Sequence, residues 1–219
     1  MSRMQDVENN TLKVDRYAEW IEETGLPTSV KPINGVVPSE ETTKYLSECD
    51  IIFGCIDNIV ARHALNKIVC AYLIPYFDLG VAVKSDKKQN GSLRQAIARC
   101  HYIQPDKSCL LDRGAFSSER LRDENFRRDE PDFYKKLKDL GYTNEIHDVQ
   151  AVMVLTMEAA IMAMDDLIAR IHGYRVESNK EFDEQERSFT HSYYEHRAHS
   201  IKNNALRLFL ATGDNHIRL

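Results

Sequence analysis

Cys49-Asp50-Ile51-Ile52-Phe53-Gly54-Cys55-Ile56-Asp57-Asn58 is the stretch on which the fold turns. Residues 50–54 are a short apolar run entered from an acid and closed by glycine, the pattern of a strand in a parallel sheet, buried on both faces. Asp57 or Asn58 then caps a helix. From Ile59 to Tyr72 the residues Val60, Ala61, Ala64, Leu65, Ile68, Val69 and Tyr72 share one helical face. Pro75 marks the step into a second strand, Tyr76 to Val83. Strand, helix and strand in this order predict a doubly wound parallel α/β sheet, whose ligands bind beyond the carboxyl ends of strands; Asp57 belongs there.

Upstream, Val14, Tyr17, Ala18 and Ile21 line one stripe of a helix from Leu12 to Thr24, stopped by Gly25 and Pro27. A short strand is expected at Ser29 to Ile33, and Ser39 opens a helix that runs to about Ser47. Downstream, residues 84–91 read as a polar loop and residues 92–103 as extended chain, with Leu93, Ala96 or Ile97, and Cys100 or Tyr102 facing inward. The charged stretch 119–140, broken by Pro131, predicts either two solvated helices or a partly mobile insert. The longest helix is expected over 148–172, closed by Gly173; its nearly all-round apolar first half implies burial against the sheet or a second subunit, so a dimer is expected. The pattern divides the chain into a domain at 1–175 and a tail at 176–219 whose patterning specifies no element.

Composition narrows the function classes. With 219 residues, 42% of them hydrophobic and 29% charged, the chain can bury a substantial core. A net charge of −5 with interspersed signs offers no basic footprint for nucleic acid. Cys49, Cys55, Cys70, Cys100 and Cys109 are scattered and odd in number, which suits reduced thiols in a cytoplasm better than a disulfide framework. Residues 1–12 show no secretory pattern, and the apolar run 151–164 is too short and too interrupted by Glu158 to span a bilayer, so neither export nor membrane insertion is expected.

The block from Cys49 to Asn58, with Arg62 and Asn66 on the next helix, resembles the signature of the ThiF/MoeB/HesA-type adenylating enzymes, which activate the C-termini of ubiquitin-like and sulfur-carrier proteins. Lys13-Val14-Asp15, about forty residues ahead, is similar to the family's phosphate-binding lysine segment. Pro75 and Asp78-Leu79-Gly80 match its next strand. Pro105 and Cys109-Leu110-Leu111-Asp112-Arg113-Gly114 resemble its Cys-Leu-x-Cys-x-Gly element, and Gly141-Tyr142 and Ile171-His172-Gly173-Tyr174 continue the resemblance over most of residues 11–175.

The resemblance implies attack of a partner's C-terminal Gly-Gly carboxylate on the α-phosphate of ATP, giving an acyl-adenylate and pyrophosphate. It makes Lys13 and Asp57 the catalytic pair, with Asp57 holding Mg²⁺, and makes Arg3, Lys13, Asp57, Asn58 and Arg62 the nucleotide-binding set. Arg3 would correspond to the arginine of an Asn-x-x-Arg segment, although it stands closer to Lys13 than in the family. Each residue also has a structural alternative. Asp57 and Asn58 are good helix caps, Lys13 suits a solvated helix end, and Arg62 can pair with an acid.

Two departures stand out. No Gly-x-Gly-x-x-Gly occurs in the chain, so the first βαβ unit with its nucleotide loop is expected to lie outside it. An adenylating enzyme half, working with an intact family subunit, and a catalytically silent binding paralogue are both consistent with that. A nicotinamide-binding Rossmann protein fails for want of the same loop. The family's four-thiolate zinc site is also incomplete: Asp112 stands where a cysteine would, no second Cys-x-x-Cys follows, and zinc is not expected. His191, His196 and His199 near Glu195 show no defined ligand spacing.

Overall fold

The computed structural model describes residues 3–85, 93–104, 107–140, 153–175, 182–190 and 194–199. Contacts between Cα atoms cluster into two units, Met1–Tyr45 and Leu46–Leu219.

In the first unit, α1 (Met4–Glu8) precedes α2 (Lys13–Glu23); α3 (Glu40–Ser47) begins in this unit and its last two residues are counted in the second. The guanidinium of Arg16 is buried on α2 and surrounded by Asp6 at 3.8 Å, Glu19 at 3.1 Å and Glu23 at 3.7 Å. α2 stops as read: the Thr24 hydroxyl donates to the Ile21 carbonyl at 2.6 Å, and Gly25 takes φ +69°, a conformation that only glycine adopts without strain. α3 opens on a reciprocal cap in which Thr42 N–H donates to Ser39 Oγ at 3.2 Å and Ser39 N–H to Thr42 Oγ1 at 3.0 Å. The strand expected at 29–33 does not form; this stretch has no ladder, and Pro32 removes a backbone donor from its middle. The five-residue α1 was not anticipated.

The second unit is a five-stranded sheet whose spatial order follows chain order: β1 (Ile52–Gly54), β2 (Tyr76–Ser85), β3 (Leu93–Ile103), β4 (Glu184–Thr190) and β5 (Tyr194–His199). Among the described strands only β1 and β2 run parallel, joined by the crossover helix α4 (Ile59–Tyr72) with the boundaries read from the sequence. The remaining neighbours are antiparallel, so the expected parallel sheet is confined to the β1-α4-β2 unit and the architecture is mixed α/β. The extended reading of 92–103 is borne out by β3. The tail left without an element supplies β4 and β5. The charged stretch forms α5 (Ser118–Asp129) and α6 (Pro131–Asp139), and the longest helix is α7 (Met153–His172). The part of that helix expected at 148–152 lies outside the described residues.

Strand alternation gives the sheet two different faces. Phe77, Leu79, Ala98, Cys100 and Tyr102 point to one, where Ala159, Met162 and Ala163 of α7 close the core over them. On the other, Asp78 of β2 receives Arg62 of α4. Gly54 faces that second side, and a Cβ there would come within 2.4 Å of the Tyr76 hydroxyl, so this position admits only glycine.

Candidate active site

Asp57 is carried by the loop that leaves the carboxyl end of β1 at Gly54 and enters α4 at Ile59. Its side chain is exposed. Asn58 next to it is the N-cap of α4, accepting the Ala61 N–H at 2.9 Å through Oδ1. The first amide of the helix, Ile59 N–H, donates to Glu124 Oε1 of α5 at 3.0 Å. A carboxylate therefore already sits against the positive end of α4, which favours negative charge. Glu124 was missed by sequence reasoning, which assigned its segment to the solvated surface. No local pattern points to it, because the contact joins residues 65 positions apart.

Beneath this loop lies a buried polar group. Asp78 has no exposed surface, and the register Gly54↔Asp78 sets it level with the end of β1. Arg62 donates to both of its oxygens, Nε to Oδ1 at 3.0 Å and the terminal Nη2 to Oδ2, a bidentate pair. The Tyr76 hydroxyl adds a third bond to Oδ1 at 2.8 Å. Burial and the neighbouring Asp78 carboxylate push the Tyr76 pKa well up, so the phenol stays a donor. Burial alone would lower the Arg62 pKa, but the bonds and charge of Asp78 leave it raised. Arg62 thus pairs with an acid, as its structural alternative held, but with one in the interior.

The polar row continues across the sheet. Asp78 is opposite His101 of β3, which is opposite Glu184 of β4; His101 Nδ1 lies 4.0 Å from that carboxylate. Burial drives the His101 pKa down to about 3 and keeps the imidazole neutral. Alongside, the turn at 107–114 is tied down from three directions. Asn66 of α4 accepts the Leu110 N–H at 3.1 Å, Arg113 Nε donates to Ser108 Oγ at 2.8 Å, and Arg113 Nη1 donates to the Asp183 carbonyl at 2.6 Å. Asp112, standing where a thiolate was looked for, accepts the Cys109 N–H at 3.1 Å.

Arg3 and Lys13 belong to the first unit. Arg3 is exposed just ahead of α1, and Lys13 is exposed at the first position of α2. Asp57, Asn58 and Arg62 are brought together on the β1–α4 segment of the second. Among the described residues, no three His, Cys, Asp or Glu side chains converge as a metal site, and His196 is exposed on β5. His191 lies outside the described residues. No described helix is long and apolar enough to cross a membrane.

With this geometry in hand, the comparison with known families is decisive: the sequence pattern of the ThiF family matches residues 3–207. The chain belongs to the ThiF family. A search of curated protein sequences finds no match. Among solved structures, this ThiF-family chain is similar to E. coli MccB with MccA-N7isoASN, at TM-score 0.58 and 13% identity over 88% of this chain and 50% of that one. It is similar also to E. coli MccB with ATP, at 0.55 and 13% over 88% and 48%. The third is the microcin C7 biosynthetic enzyme MccB in complex with N-formylated MccA, at 0.57 and 14% over 88% and 50%. The chain spans about half the length of these MccB chains, and at such identity the agreement is one of fold.

Proposed function

We propose that this ThiF-family chain is part of an ATP- and Mg²⁺-dependent adenylating enzyme that activates the C-terminal carboxylate of a partner peptide or protein. The observation that carries this reading is the β1-α4-β2 unit, which presents Asp57 at the carboxyl end of β1, where doubly wound sheets bind phosphates. ATP and MccA in the MccB structures support a nucleotide and a peptide as co-substrates. The finer substrate is a ubiquitin-like or sulfur-carrier protein ending in Gly-Gly.

The parts divide by chemistry. Asp57 offers a hard carboxylate oxygen free of any cap duty, since Asn58 does the capping. Mg²⁺ needs only one or two such groups beside phosphate oxygens, so a single exposed carboxylate fits it, and the ion would supply neutralisation of the phosphate charge. Lys13 and Arg3 are the cations assigned to the phosphates. Asn58 and Arg62 serve the nucleotide indirectly. Asn58 fixes the entry of α4, and Arg62, held by Asp78, fixes the helix against β2 so that the Asp57 loop keeps one shape.

Orientation of the α-phosphate for in-line attack requires a backbone cradle of the glycine-loop kind, which residues 1–219 do not encode. The chain alone is therefore expected to give no ATP–pyrophosphate exchange. Mixing it with an intact family subunit whose own strand-end Asp has been replaced should produce exchange, lost on Asp57→Ala or Lys13→Ala. Robust exchange by the chain alone would make it a self-sufficient enzyme. Silence in every combination would favour the second reading, a binding paralogue that keeps the sheet without the chemistry, for which Glu124 against the start of α4 already speaks.

A further inference from the structure

The entry of α4, two residues beyond Asp57, is held from outside by α5. Phe116, just ahead of α5, is buried and seats it: its ring meets His63 of α4 edge-on with centroids 6.0 Å apart, and the Arg62 guanidinium stands over its face at 5.8 Å. Gly114, in the turn before it, takes φ +68°, and Ser117 caps α5 by accepting the Arg120 N–H at 3.2 Å. Further along α5, the half-buried Glu124 reaches back and accepts the Ile59 N–H at 3.0 Å. Its charge also acts on Arg62, but that guanidinium is committed to both oxygens of Asp78. The amide and the positive end of α4 are therefore what Glu124 leans on.

We propose that this contact is an autoinhibitory gate: Glu124 holds the entry of α4 in the nucleotide-free chain, and its carboxylate has to withdraw before a magnesium-bound phosphate group settles at Asp57. The proposal rests on the adenylation reading, which supplies the ligand and its place. A pyrophosphate group brings several negative charges to a loop beside which Glu124 already stands, and like charges close together in a partly desolvated cleft repel. Magnesium offsets only part of that charge. Withdrawal leaves the buried polar face intact, since Arg62 keeps Asp78 and Phe116 keeps its seat on α4. A new side-chain rotamer of Glu124, or a small outward shift of α5 about the turn before it, is enough to free the Ile59 amide. While the contact is closed the phosphate site does not bind, so the apparent affinity is reduced by the fraction of molecules that are open.

Calorimetric titration of the full chain with magnesium pyrophosphate tests the gate. Glu124→Gln keeps the length of the side chain and an acceptor oxygen but not the charge, and should bind about tenfold more tightly than the parent, the change expected when one charge-assisted bond no longer competes with the ligand. Glu124→Ala, which removes the bond as well, should bind at least as tightly as Glu124→Gln. Asp57→Ala should abolish binding in every background. A purely structural Glu124 predicts the opposite sign, because loosening the entry of α4 would loosen the Asp57 loop and weaken binding. Affinity of both Glu124 variants at or below that of the parent, with Asp57→Ala still silent, overturns the gate and leaves the phosphate site standing. Absence of binding in the parent and in both Glu124 variants, or binding indifferent to Asp57→Ala, overturns the gate together with the adenylation reading.

Discussion

The two faces of β2 and β3 are built by opposite strategies. Under α7, Phe77, Leu79, Ala98, Cys100 and Tyr102 meet Ala159, Met162 and Ala163 with no ion pair among them. Under α4, residues one position along the same strands bury Asp78 and the neutral His101, and Arg62 of α4 reaches the aspartate. An apolar face gains stability from area alone and tolerates exchange of one aliphatic group for another. The polar face is held by direction: Arg62 fits Asp78 as a two-pronged pair, and each bond fixes where α4 lies relative to β2. The face that needs accurate placement is the one that supports the Asp57 loop.

Breaking the polar face should cost most. Asp78→Asn leaves the Arg62 guanidinium buried with half its partner, and removing one member of such a pair costs about 3–5 kcal/mol. Urea unfolding should show that loss, whereas replacing Asp78 and Arg62 together by apolar residues should recover much of it. On the apolar face, Met162→Ala removes a fully buried side chain and should destabilise by about 2–4 kcal/mol without altering the geometry near Asp57. The same denaturation series compares the two faces directly.

Acid should act on the polar face through His101. His101 has its folded pKa lowered to about 3 from an unfolded value near 6.5, so the unfolded chain binds more protons between those limits. Its contribution is complete above pH 6.5 and is lost as pH falls towards 3, a slope of about 1.4 kcal/mol per pH unit at most. Unfolding free energies of His101→Gln measured from pH 7 to pH 4 should fall less steeply than those of the parent. The smallest effect belongs to the rim: Asn58→Ala removes one cap bond from α4 and should cost about 1 kcal/mol in the thermal midpoint analysis.

The sequence displayed the β1-α4-β2 unit because its signals are local. An apolar run, a cap and a helical stripe follow one another within thirty-odd residues, and the boundaries of α4 emerge unchanged. The antiparallel extension was less visible. β4 reads Glu-Gln-Glu-Arg-Ser-Phe-Thr, and its polar residues pair with groups far along the chain, Arg99 with Glu186 at 2.6 Å and Glu158 with Arg187. Polar residues satisfied by distant partners look like loop in a short window. The expected strand at 29–33 failed for the converse reason, since its local pattern had no neighbouring strand to meet. At the site, Asp57 and Asn58 could be placed from their strand and helix. The commitment of Arg62 to Asp78, and of Glu124 to Ile59, required the fold itself.

The coincidence of spatial and chain order in the sheet has a consequence for its assembly. β1, β2 and β3 are linked through short connections, but β4 joins β3 only by closing the long segment 104–183, which contains α5, α6 and α7. Closing so long a loop costs entropy before any strand contact offsets it. The β1–β3 ribbon with α7 laid on it can gather first, and the last two strands arrive at an edge already formed. Leaving in the reverse order, they make β4 and β5 the layer through which the molecule opens most readily.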